Sequence, residues 1–196
     1  MKEETPFIPY ADRKLLPAQL EASLEAYEAR MGFLPNALKL YMHRPELLAC
    51  LIQMNNAVMR DGSSQLDIGL KRRIAAICSF LNKSAYCVAH NTNTLMNTDD
   101  EVGEGWGFSR EDVAELLDPA YKSEDQAEQA AIDYARAAAT DHASVPPPVL
   151  NRLAEHMSPA QIVELACVVG FWAMYNSIHE ALDIPIEEPL LGNAEV

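Results

Sequence analysis

The chain has 196 residues, 49 % of them hydrophobic, which is enough for one domain with a sizeable core. Lys and Arg number 15 against 29 Asp and Glu, a formal net charge of −14. So acidic a composition argues against nucleic acid or an anionic membrane surface as a partner. The acid is concentrated: twelve Asp and Glu lie between Asp99 and Asp133, against Arg110 and Lys122 only, and this stretch is expected to be a solvated helical face.

The first ten residues, MKEETPFIPY, contain no basic region followed by an apolar run. No secretory signal is expected, and a cytoplasmic, reducing location with free thiols follows as the expectation. Leu20, Leu24, Tyr27 and Met31 recur at helical spacing until Gly32 stops the run. Pro45 opens a second predicted helix through Leu47, Leu48, Leu51, Met54 and Val58, ending near Gly62. Leu66, Leu70, Ile74, Ile77, Cys78 and Leu81 mark a third, interrupted by Asn82 and Lys83. Ser84 is placed as the N-cap of a fourth, which runs to about Asn97.

Gly103, Gly105 and Gly107 mark an acidic loop without a preceding strand, so no nucleotide and no other cofactor are expected there. Ser109 with Asp112, and Ser123 with Gln126, have the spacing of capping boxes. Pro146-Pro147-Pro148 predicts a break. Ser158-Pro159-Ala160-Gln161 combines a cap, Pro at the first helical position and Gln to close the box; its helix ends before Pro185. The run from Leu165 to Ile178 reads as a buried core helix, too short to span a bilayer. No strand pattern is found, so the expected fold is all-α with about eight helices. Cys78, Tyr86 and His90 also match Cys167, Tyr175 and His179 at a constant offset, a candidate internal repeat.

The segment from Leu81 to Thr92 carries the chemistry. With Ser84 as cap, Cys87 falls in the first turn, where free N–H groups and the positive end of the helix favour thiolate and should lower its pKa if the thiol is reachable. His90 is three residues further on the same face, placed to pair with the thiolate or act as its base, and the Ser84 hydroxyl could donate to the sulfur. Asn91 and Thr94 continue this polar stripe. Cys50, Cys78 and Cys167 lack such surroundings and read as packing residues. Cys87 and His90 are too few for a metal site, and none is expected.

This segment resembles the motif of the AhpD-like alkylhydroperoxidases in the carboxymuconolactone decarboxylase superfamily, a Cys-x-x-Cys followed by His that opens a helix. Met31-Gly-Phe-Leu-Pro-Asn-Ala37 and His43-Arg-Pro-Glu-Leu-Leu48 are similar to the upstream signature of its peroxidase-related branch. Phe171 to Leu182, with Tyr175 and Asn176, resembles the closing helix. The resemblance covers about residues 31–185 of a single AhpD-like domain, 1–196, with an N-terminal arm (1–16) and a C-terminal tail (186–196). It departs where chemistry matters. The second family cysteine matches Cys87, but the first falls on Ser84, the downstream histidine on Asn91, the proton-relay glutamate near Arg72, and the histidine between the cysteines on Tyr86. An internal disulfide cycle therefore cannot run.

Three functions follow as expectations. In the first, a single-cysteine peroxidase-related enzyme, Cys87 attacks a hydroperoxide, Ser84 and Tyr86 donate hydrogen bonds, His90 shuttles the proton, and an external thiol, or Cys78 if it lies close, resolves the sulfenic acid. The second is non-redox lyase or decarboxylase chemistry on a small organic acid, with His90, alone or together with His179, moving a proton and Arg72 holding a carboxylate. The third is a non-catalytic helical binding protein. The resemblance also implies a homo-oligomer.

Overall fold

The computed structural model describes residues 6–97 and 106–194, and among these the secondary structure is entirely helical. Its α-helices are α1 (Ala18–Met31), α2 (Asn36–Tyr41), α3 (Pro45–Met59), α4 (Ile68–Leu81), α5 (Ala85–Met96), α6 (Arg110–Leu117), α7 (Gln126–Thr140), α8 (Pro147–His156) and α9 (Pro159–Ala181). Eight of the nine are eight residues or longer, as expected from the sequence. Two 3-10 turns, Arg13–Leu15 and Glu188–Asn193, flank them. Gly103 and Gly105 of the expected acidic loop lie outside the described residues; Gly107, at φ +63°, lies within them.

Local signals set most boundaries. Gly32 ends α1 in the left-handed conformation, φ +75°, where a side chain would be strained. Asp67 caps α4 by accepting from the Leu70 amide. Ser109 and Ser158 form complete capping boxes with Asp112 and Gln161. The expected Ser123–Gln126 box is not formed. Asp125 caps α7, accepting from the Ala127 and Glu128 amides, and Ser123 instead receives the Asp125 amide. A carboxylate two residues closer to the helix displaces the hydroxyl as the cap. The three prolines do break the chain, and Pro147 and Pro148 then begin α8.

Helix α4 is the centre of the molecule and packs chiefly against α5, α7 and α9. It buries Ile74, Ala75, Ala76, Ile77 and Cys78, small or branched side chains that let three helices approach it. Helix α9, about 35 Å long, crosses the core. It buries Leu165, Val168, Val169, Phe171 and Trp172, yet Val163, Cys167, Gly170 and Ala173 are exposed. The helix expected to be a core helix is therefore buried along one face only, although its length and apolarity would suffice to cross a membrane. Cys167 belongs to this outer face, and Cys50 is exposed on α3 between exposed Leu47 and Met54. Both depart from the packing role expected of them, because each lies opposite the buried stripe of its helix; Cys78 is buried as expected.

The link between α4 and α5 positions the site. Asn82 closes α4 through the Cys78 carbonyl, Lys83 adopts φ +58°, and the Ser84 amide reaches back to the Ser79 carbonyl. The Asn82 side chain clamps this turn from both sides: its Nδ2 donates to the Ala139 carbonyl and its Oδ1 accepts from Asn176 of α9, each at 2.9 Å. α5 is thereby started against α9 with Ser84 as its cap.

Candidate functional site: a thiol–imidazole pair in an aromatic cavity

Ser84 Oγ accepts from the Cys87 amide at 3.4 Å and is itself fully buried. This cap turns the Cys87 side chain toward α9, where its Sγ lies 3.0 Å from Nδ1 of His179. The two residues are 92 positions apart and both are buried. The sequence left open whether His90 or His179 reaches the sulfur; the partner is His179.

The expected activation of the thiol is reversed. Burial pushes the Cys87 pKa up to about 12, against the lowering effect of the Ser84 hydroxyl. Burial likewise pulls His179 down to about 3, assisted by the charge of His90. Desolvation of the charged forms outweighs the helix terminus at a site this enclosed. Both shifts favour a neutral thiol beside a neutral imidazole over a thiolate–imidazolium at rest.

His90 is turned to another task. Its Nε2 donates to Glu187 Oε2 at 2.8 Å, and Tyr86 Oη donates to Glu187 Oε1 at 2.9 Å. The Asn36 amide also donates to Glu187, Asn36 Nδ2 donates to the Pro185 carbonyl at 2.9 Å, and Tyr86 Oη accepts from the Ala37 amide at 3.1 Å. Glu187 is thus the hub that ties α2 and α5 to the segment after α9. That segment, read from the sequence as a tail, packs on α5. Leu190 is buried, and Thr92 Oγ1 donates to the Asn193 carbonyl at 3.0 Å. Tyr86 and His90, expected as hydrogen-bond donor and proton shuttle, both have these N–H and O–H groups engaged by Glu187.

Burial alone would raise the Glu187 pKa; the hydrogen bond and charge of His90 and the Asn36 amide outweigh it and hold the carboxyl below its ordinary value. Its stabilising contribution is therefore complete above the unfolded pKa, about 4.3, and disappears as pH falls through the lower folded value. Glu187→Gln is expected to destabilise the protein by about 2 kcal/mol at neutral pH, since a charged acceptor for several donors is lost. Urea denaturation should show the difference from wild type closing at acid pH; a gap of the same size at pH 7 and near pH 3 would refute the ionic role.

Cys87 and His179 open on a cavity of about 120 Å³. Its walls include the rings of Tyr27, Tyr41, Tyr86, Trp172 and Tyr175, with His90, Asn91 and Thr94 from the predicted polar stripe; Ser84 stays behind its helix and does not line it. Arg30, Arg60 and Arg72 also line it. Burial, and then the neighbouring Arg60 and Arg30, pulls Arg72 down to about 9, which leaves it charged at neutral pH. Cys87 is the sole thiol among the described lining residues. The volume suits a small monocyclic or branched molecule, since a 150 Å³ cavity is known to hold benzene.

The sequence gives no sign of Tyr41 or Glu187 at the site, and it leaves His179 open as a thiol partner. The one signal for His179 was the repeat that paired it with His90; both histidines do line this cavity.

No protein-family model matches the sequence, and no curated protein matches it significantly. Solved structures do. An uncharacterized peroxidase-related protein from Silicibacter sp. TM1040 superposes with a TM-score of 0.79 at 23 % identity, over 98 % of this chain and 97 % of that one. The alkylhydroperoxidase AhpD core, an uncharacterized peroxidase-related protein from Ralstonia eutropha JMP134, superposes with a TM-score of 0.78 at 17 % identity, over 98 % and 97 %. A cysteine-to-alanine variant of the debrominase Bmp8, in complex with 2,3,4-tribromopyrrole, gives 0.78 at 23 % identity, over 100 % and 97 %. Over nearly its whole length the chain therefore has the AhpD-like all-α fold, shared with these peroxidase-related proteins and with Bmp8.

Proposed function

We infer that the protein is a single-thiol redox enzyme that reduces a small organic hydroperoxide at Cys87, with His179 as the base. The observation that carries this reading is the 3.0 Å contact between Cys87 Sγ and His179 Nδ1 at the wall of an otherwise thiol-free cavity. The sulfur forms a bond to the distal peroxide oxygen as the O–O bond breaks. The thiol proton passes to His179 and from there to the departing alkoxide, giving a sulfenic acid and an alcohol. Two equivalents of an external thiol then release water, form their own disulfide and restore Cys87. Cys78 does not line the cavity, and Cys50 and Cys167 lie on outer helix faces, so the reductant comes from outside.

The test is exposure of the reduced protein to tert-butyl hydroperoxide, with mass spectrometry locating the oxidised cysteine. Rapid sulfenic acid at Cys87 alone supports the reading. Slow oxidation led by exposed Cys50 and Cys167 would sink it.

Two observations favour trying other substrates in the same assay. Bmp8 is a debrominase, and aromatic bromine, like peroxide oxygen, is an atom that a thiol can take; bromide release from a bromopyrrole is the corresponding readout. Arg72, buried in the cavity lining, favours an acidic substrate and is the feature the lyase reading needs. That reading requires turnover of a small carboxylated lactone to survive Cys87→Ser.

A further inference from the structure

Tyr41 ends α2, a short helix with no part in the motif around Cys87. Its residue is 7 % exposed, and its phenolic oxygen has no hydrogen-bond partner. The ring lies against the reacting pair, 5.9 Å from the His179 ring and 6.5 Å from the ring of Tyr175, and it lines the same cavity. The other cavity tyrosines near the thiol are committed: Tyr86 donates to Glu187, and Tyr175 donates to the Leu51 carbonyl at 3.4 Å. A buried hydroxyl without a partner is a cost to the fold, and the fold offers nothing in return for it. Such a group is explained when a ligand supplies the acceptor.

The geometry points to Tyr41 as a catalytic residue whose O–H donates to the alkoxide oxygen released as the O–O bond breaks, stabilising the negative charge that develops on it. This rests on the single-thiol reading above. Burial, together with Tyr175 and the charge Cys87 would carry, raises the Tyr41 pKa well above its ordinary value. The phenol therefore keeps its proton throughout and acts as a fixed dipole, in the manner of an oxyanion-hole donor. The proton that neutralises the alkoxide is the thiol's own, delivered by His179, so the atom balance of the step is unchanged. His179 Nε2, also buried without a partner, fits the same picture: its N–H becomes more acidic as Nδ1 takes the proton, and it is free to turn that gain toward a ligand.

The assignment has an unusual signature, because stability and activity move in opposite directions. Tyr41→Phe removes an unsatisfied polar atom and leaves the packing intact, so the variant should melt at or slightly above the wild-type temperature. Turnover of tert-butyl hydroperoxide, with dithiothreitol as reductant, should fall on the order of 10²-fold in kcat with little change in KM, as when one oxyanion donor is lost. Unchanged kcat, or melting several degrees lower, overturns the assignment. If the unsubstituted protein does not turn over hydroperoxide, it is the single-thiol reading that fails, and Tyr41 is then judged by binding. The Cys87→Ser protein is titrated with phenol, whose oxygen is the acceptor, with and without Tyr41→Phe. A loss of affinity of about tenfold, one hydrogen bond, upholds the donor role; equal affinity, or no binding to either protein, overturns it.

Discussion

Replacing His179 with glutamine is expected to slow hydroperoxide turnover roughly 10²- to 10⁴-fold, the range for loss of a positioned general base. The substitution is structurally mild. His179 Nδ1 contacts Cys87, its Nε2 has no partner, and glutamine keeps a polar side chain of similar length. The pH profile separates a catalytic from a structural role. With Cys87 pushed up to about 12 and His179 pulled down to about 3, neither group changes charge near neutrality. The wild-type rate should therefore be flat between about pH 5 and 9, with the proton moving inside the pair as sulfur attacks. In the glutamine variant only solvent can remove the thiol proton, so the rate should climb roughly tenfold per pH unit across the same range. A bell-shaped wild-type profile would mean that the pair rests as thiolate and imidazolium, and the neutral-pair mechanism would be wrong.

The reversal at Cys87 shows where sequence reasoning stops. Caps are local, and Ser84, Ser109 and Ser158 were legible because each satisfies amides within three residues of itself. The long stripes of α4 and α9 were legible because one buried face repeats over many turns. α2 was not, since six residues after Pro35 are too few to display a period. The lowered pKa expected of a reachable Cys87 does not hold, because two local effects, cap and helix terminus, compete with one global effect, burial, which spacing does not reveal. The same holds for the partners. His90 is a good guess for the thiol from its position one turn away, but Glu187 claims it from 97 residues downstream, and His179 takes its place from 92 residues downstream. The candidate repeat carries a trace of this, since it aligns His179 with His90 and both line one cavity.

The largest effect on stability is expected away from the site, at Lys71 and Glu164. Lys71 lies in α4 with its side chain fully buried, and its ammonium donates to Glu164 Oε1 of α9 at 2.5 Å and to the Val58 carbonyl at the end of α3 at 2.7 Å. Glu164 keeps 19 % of its side chain exposed and also accepts from Ser64 Oγ and from the Gln65 amide. The two partners are thus unequal. Glu164→Leu strands a cation in the core with one carbonyl for company, and should cost about 3 kcal/mol or more, as breaking a buried pair does. Lys71→Met fills the same space without a charge, while Glu164 retains water and two donors; it should cost no more than about 1 kcal/mol. Adding Lys71→Met to Glu164→Leu should then recover most of the loss, because the stranded charge is gone. Urea denaturation of the three variants tests this ordering. If Lys71→Met alone costs as much as Glu164→Leu, the ammonium is a net contributor to the contact of α3, α4 and α9 rather than a charge that Glu164 is needed to neutralise.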